Sequence, residues 1–262
     1  MPIVLIAALL YLLATWLVVR RLQVQGGAGA GYWLLTAVSA VALHGLVHFL
    51  HWRAGGGVDL HFFSALSLVA LGMAALTTLY AASGRMGALG VVVYPVAAAA
   101  LLGYGLSGGS PARALDWRVE LHAWFALLAY ATLAIAALLA IMLWTQERAL
   151  RRRDFHAWLR VLPPLTELET LLFRTIWVGF VLLTATLLTG VLFVQDFFAQ
   201  HLIHKSVLSI LSWLVFGALL MGRWRHGWRG AKAVRLTLLA MGLLVLAFFG
   251  SKFVLELVLG RV

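Results

Sequence analysis

Residues 118–144 read RVELHAWFALLAYATLAIAALLAIMLW, and no charged side chain stands between Glu120 and Glu147. Ala and Leu dominate the run, without the alternation of a strand. About 20 apolar residues wound as a helix cross the hydrocarbon core of a bilayer, so this stretch reads as a transmembrane helix. Seven more apolar segments complete the set, which runs 2–19, 32–51, 61–82, 87–106, 118–144, 173–194, 205–222 and 232–258. Gly-rich or charged stretches separate them. Hydrophobic residues make up 63% of the 262 residues and charged residues 11%. A soluble domain is nearer half apolar and a quarter charged, and its surface must still be wet. The expected fold is all-α: a polytopic membrane helix bundle of about eight transmembrane helices, in a single transmembrane domain over residues 1–262. The Ala/Leu-rich pattern argues against a β-barrel. The apolar N-terminus lacks the basic start and cleavage site of a signal peptide and reads as the first retained helix.

The net charge of +11 points to membrane topology rather than nucleic acid, since no soluble region is large enough to present a groove. Of the 20 Lys and Arg residues, fourteen fall in the first, third, fifth and seventh connections, from Arg20 and Arg21 to Lys232 and Arg235. Six fall on the other side: Arg53, Arg113, Arg118, Lys205, Lys252 and Arg261. The positive-inside rule puts the first set in the cytoplasm and both termini outside. Trp16, Trp33, Trp144, Trp224 and Trp228 then lie near the inner boundary, with Trp52 and Trp117 near the outer one, as in an aromatic belt. The connection 145–172 contains Pro163-Pro164, which break a helix. After them Thr166 and Glu169 have the spacing of a capping box, and Leu165, Leu168 and Leu172 share a face. That pattern predicts an amphipathic piece on the inner surface leading into the sixth helix.

The chain has no cysteine, which excludes disulfides, thiolate metal sites and covalent haem attachment. Any metal or haem must be held by His, Met, Tyr or carboxylate. On this topology seven of the nine histidines sit at or near the outer face: His44, His48, His51, His61, His122, His201 and His204. His156 and His226 lie among arginines on the inner side. His44, His48 and His51 share one face of the second helix. His44 is on the order of 12 Å below its outer end, and His122 roughly 6 Å inside the fifth helix, at 1.5 Å per residue. Ionisable residues at such depth are functional by default, whereas the shallower histidines suit an interfacial role. Two imidazoles from different helices can ligate a haem iron. Arg118, Arg113 and Lys205 on the same side are candidate contacts for propionates. No HExxH, GxSxG or Walker motif occurs, so there is no sign of enzyme chemistry. Lys252 and Glu256, four residues apart, read as an ion pair.

The stretch Leu121-His122-Ala123-Trp124-Phe125-Ala126-Leu127-Leu128-Ala129-Tyr130-Ala131 resembles the histidine and Ser/Ala-Tyr-Ala pattern of the cytochrome c assembly protein family, which includes the CcmC, CcsA and HemX-like membrane proteins. Pro163-Pro164-Leu165 with Glu169 to Phe173, His204-Lys205-Ser206-Val207-Leu208-Ser209 with Trp213, Gly227-Trp228-Arg229-Gly230, and Phe249-Gly250-Ser251-Lys252 with Glu256 are similar to its HemX/YpjD-like inner-membrane branch. The resemblance implies non-covalent haem b, handled on the extracytoplasmic side during cytochrome c assembly. Lipid and other maturation proteins would be its partners, nucleic acid would not, and it would have no catalysis of its own. His122 would be one axial ligand, His44 or His204 the other, and Arg118 a cofactor contact. The tryptophan-rich outer loop of the CcmC and CcsA branches is missing: residues 195–204 contain no Trp. The alternatives are a b-type electron-transfer protein, a regulator of haem biosynthesis, or a transporter without bound haem. Electron transfer across the membrane would want ligands at two depths, and the inner half offers only His156 and His226. A transporter would want helices broken by Gly or Pro in matching halves, and Pro95 is the only proline well inside a helix after the first residues.

Overall fold

The structure is a computed structural model that describes residues 1–23, 31–55, 57, 59–82, 87–107, 116–152, 163–193 and 203–258. Among these it is built of helices: α1 (Pro2–Gln23), α2 (Tyr32–Gly55), α3 (Phe62–Ala82), α4 (Gly87–Leu106), α5 (Trp117–Arg151), α6 (Leu165–Phe193), α7 (Ile203–His226) and α8 (Gly230–Val245). Two wider π-helical segments, π1 (Leu246–Gly250) and π2 (Phe253–Val258), follow α8. Eight helices are long and apolar enough to cross a membrane. Large apolar side chains such as Leu9, Leu188 and Leu192 lie exposed on their outer faces, where lipid is the natural solvent.

The helices cluster into two compact units, one holding α1–α4 and the other α5–α8 with the π segments. In the first, α1 packs on α2 and α4, and α3 on α2 and α4. Small residues allow that approach: Ala7, Ala14, Ala37, Ala40, Ala74 and Ala97 are all fully buried, as expected where packing rather than water drives association. In the second unit α5 packs on α6 and α8, and α7 on α6 and α8. A Cβ on Gly179 of α6 would stand 2.5 Å from the Leu133 side chain of α5, so glycine permits that contact. Polar ties fix α7: Trp213 Nε1 donates to Thr184 Oγ1 of α6 at 2.8 Å, and Ser212 Oγ donates to the Ala240 carbonyl of α8 at 2.8 Å.

Two sequence expectations need correction. The fifth and sixth helices are longer than the apolar runs 118–144 and 173–194. The piece from Leu165 is the opening of α6 itself, with the Pro164 carbonyl accepting from Leu168 N at 3.0 Å. Thr166 and Glu169 therefore form no capping box. Glu169 is buried and pairs with Arg223 at 3.1 Å and Arg229 at 2.7 Å, so it ties α6 to the turn between α7 and α8. The Glu169 carboxylate holds the Arg229 guanidinium above its usual pKa. That turn depends on Gly227 and Gly230, with φ of 63° and 56°, a region open to glycine and costly for other residues. The Lys252–Glu256 pair is present, at 2.5 Å.

Candidate functional site

In the second unit all four helices contribute to one cleft. His122 and Tyr130 line it from α5, Thr186 from α6, Lys205 and Ser209 from α7, and Phe248 from π1. Apart from Ser206 the remaining wall is aliphatic, and the space is about 160 Å³. His122 lies five residues into α5, about 8 Å along its axis. Its Nδ1 sits 3.2 Å from Thr189 Oγ1. The Thr189 hydroxyl is itself committed as a donor to the carbonyls of Ala185 and Thr186, at 2.8 and 3.0 Å. It therefore accepts from His122, which places the ring proton on Nδ1 and leaves Nε2 with its lone pair. A metal-ligating histidine needs that tautomer, held by a hydrogen bond from its other nitrogen.

Lys205 is the cation on this wall, and Lys252 and Glu256 are within electrostatic reach of it. The cleft's other edge is shaped by Tyr130. Its hydroxyl donates to the Leu244 carbonyl, and the Phe248 N–H donates back to the same oxygen. The phenol thus sits where α8 would close a bond between residues 244 and 248, and π1 begins at that point. A side chain inserted in the ladder is a known cause of such irregularity.

The other expected site residues are placed as follows. His204 is exposed on α7 and does not line the cleft, although its neighbour Lys205 does. Arg118 is exposed at the start of α5, with its guanidinium 5.6 Å from the Trp117 ring and 6.0 Å from the Phe193 ring. Arg113, His156 and His201 lie outside the described residues. His44 belongs to the first unit, where it is fully buried with both ring nitrogens engaged. Nδ1 is 3.2 Å from Tyr11 Oη and Nε2 is 2.9 Å from Ser67 Oγ. His48 Nε2 also meets Ser67 Oγ at 2.9 Å, and its ring stacks on Tyr104 at 4.6 Å. Among the described residues no group of three or more His, Asp or Glu is placed to hold a metal ion. Sequence reasoning missed Thr189, Tyr11 and Ser67. Each is a common residue whose part depends on a partner tens of positions away, which no local pattern announces.

Comparison with known proteins was then made for the whole chain. A family model described as Cytochrome C assembly protein matches residues 30–259. The Escherichia coli (strain K12) Inner membrane protein YpjD is 32% identical over 266 residues, covering 98% of this chain and 100% of that protein. The Cytochrome c biogenesis protein CcsA of Prochlorococcus marinus (MED4) is 33% identical over 89 residues, which is 33% of this chain and 28% of that one. No solved structure matches. The eight membrane-spanning helices, the full-length likeness to an inner-membrane protein and the family match agree: this chain belongs to the cytochrome c assembly protein family.

Proposed function

We propose that the chain binds haem b non-covalently at the His122 cleft and passes it on within cytochrome c assembly, at the extracytoplasmic face of the inner membrane. One observation carries this reading: His122 faces an apolar cleft with Nδ1 tied to Thr189. The donor set fits haem. There is one imidazole with a committed tautomer, an aliphatic and aromatic wall, and an ammonium on Lys205 for a propionate. Haem would supply an iron that takes imidazole nitrogen as an axial ligand. His204, exposed on α7 one residue from Lys205, is the second imidazole of this unit that could serve haem. His44 in its present arrangement has no free nitrogen to give.

The cleft's volume, about 160 Å³, is below the roughly 300 Å³ at which small-molecule pockets begin. The cleft would therefore take only part of a haem, with His122 and Lys205 as the residues that would hold it. Loose enclosure suits a group in transit better than a permanent electron carrier, so the protein needs no catalysis of its own. Other maturation proteins would receive the haem. The test is a haemin titration of purified protein, read by the reduced spectrum. Wild type should show a b-type band that His122→Ala loses and Lys205→Ala weakens. Equal haem content in His122→Ala would overturn the assignment.

A further inference from the structure

A second polar system lies wholly in the first unit and is not used by the His122 cleft. It runs Tyr11–His44–Ser67–His48 through α1, α2 and α3, with links of 3.2, 2.9 and 2.9 Å. Polar side chains this deep among apolar helices are costly, and their usual reason is a proton or ion path. Ser67 carries one hydroxyl proton and meets two imidazoles, so it can donate to only one and must accept from the other. Each imidazole accepts at one nitrogen and donates from the other. The links therefore orient in one common sense, which is the condition for handing a proton along.

The chain also has an opening. A cavity of about 290 Å³ is lined by Val4 of α1, Val47, Leu50 and His51 of α2, and Tyr104 of α4. Tyr104 is 4% exposed, and its hydroxyl is buried with no hydrogen-bond partner. His51 and Tyr104 are the ionisable side chains on a wall that is otherwise apolar. The Tyr104 ring stacks on His48 and meets the edge of His51 at 5.5 Å, so it stands between cavity and chain. The ionisable groups around the relay are His51 on α2, Tyr94 and Tyr104 on α4, and the Asp59–His61 pair ahead of α3, joined at 2.6 Å. Tyr11, on α1, closes the deep end with its ring stacked on Tyr94 at 5.9 Å.

We propose that Tyr11, His44, Ser67 and His48 form a proton relay between this cavity and the buried middle of the first unit. A proton reaching His48 Nδ1 from the cavity side starts the transfer. The His48 Nε2–H proton moves to Ser67 Oγ as the Ser67 hydroxyl proton moves to His44 Nε2. His48 and Ser67 end neutral, and His44 carries the proton, with Nδ1–H donating to Tyr11 Oη. N–H bonds form at His48 Nδ1 and His44 Nε2 and a new O–H at Ser67; the donor's bond to the entering proton, the His48 Nε2–H and the original Ser67 O–H break, and no electron moves.

The test follows the His44 imidazole proton. Protein labelled with ¹⁵N-histidine in lipid bilayers is transferred to D₂O, and exchange at His44 is read by solid-state NMR beside the amides of α2. The His44 signal is assigned by its loss in His44→Gln. A relay open to water should exchange His44 at least about 100-fold faster than its helix amides, which open only by local unfolding. Ser67→Ala should slow it at least about 10-fold with amide exchange unchanged, and Ser67→Thr should restore it. If Ser67→Ala fails to fold, His48→Phe keeps a ring on Tyr104 and removes the next link, with the same slowing expected. His44 exchange no faster than the amides, or unaltered by these substitutions, would overturn the relay. Neither result depends on haem.

Discussion

His122 and His44 are separated by what their nitrogens touch. Both are imidazoles inside apolar helices; depth marks both as functional, and the family resemblance makes both ligand candidates. Thr189 leaves His122 one nitrogen to offer; Tyr11 and Ser67 occupy both nitrogens of His44. Thr189→Val should free the His122 ring to turn and lower haemin affinity by about 10- to 100-fold, the usual cost of losing such a support. Thr189→Ser, which keeps the hydroxyl, should bind as wild type; a Soret titration of both variants decides. Glu169 was read as a local helix signal because its spacing from Thr166 fits one. Its real partners, Arg223 and Arg229, stand 54 and 60 residues away. Glu169→Gln should lower the thermal midpoint by several degrees, as two guanidiniums lose a buried carboxylate. A melt unchanged from wild type would show the pair to be ornamental.

At the scale of elements, the existence and order of the spans were legible because a run of 20 apolar residues has few alternatives. Their ends were less so. The extra turns of α5 beyond Trp144 and of α6 before Phe173 are amphipathic, and burial of Leu168 and Leu172 rather than lipid contact makes them helical. The close approach of α5 and α6 also needs no sequence motif beyond one glycine. Gly179→Val would drive a side chain into Leu133 and should cost about 1–3 kcal/mol by overpacking, read as a lower unfolding midpoint in detergent. Tyr130→Phe removes the hydroxyl that serves Leu244 and should cost about 1–3 kcal/mol for the stranded carbonyl, by the same measurement. The phenol's contact with Leu244 could not be read from the apolar run 232–258, since it comes from a residue 114 positions earlier.

Over the whole molecule, sequence periodicity gave spans but not partners, and partners divide the helices into two units of four. The histidines His44 and His122 fall into different units of that grouping. The absence of cysteine makes the orientation directly testable. With an impermeant thiol reagent, Arg53→Cys should be labelled in intact cells and Arg225→Cys only in inverted vesicles; the opposite pattern would reverse the charge-based orientation. One feature of the last helix reaches further than its own length. A π turn holds about one residue more than an α turn, so each inserted residue advances the helical phase of everything after it by about 100°. The compass bearing of Lys252 and Glu256 around their axis is therefore set upstream, where one phenol oxygen parts residues 244 and 248, and straightening that seam would swing both charges away from Lys205.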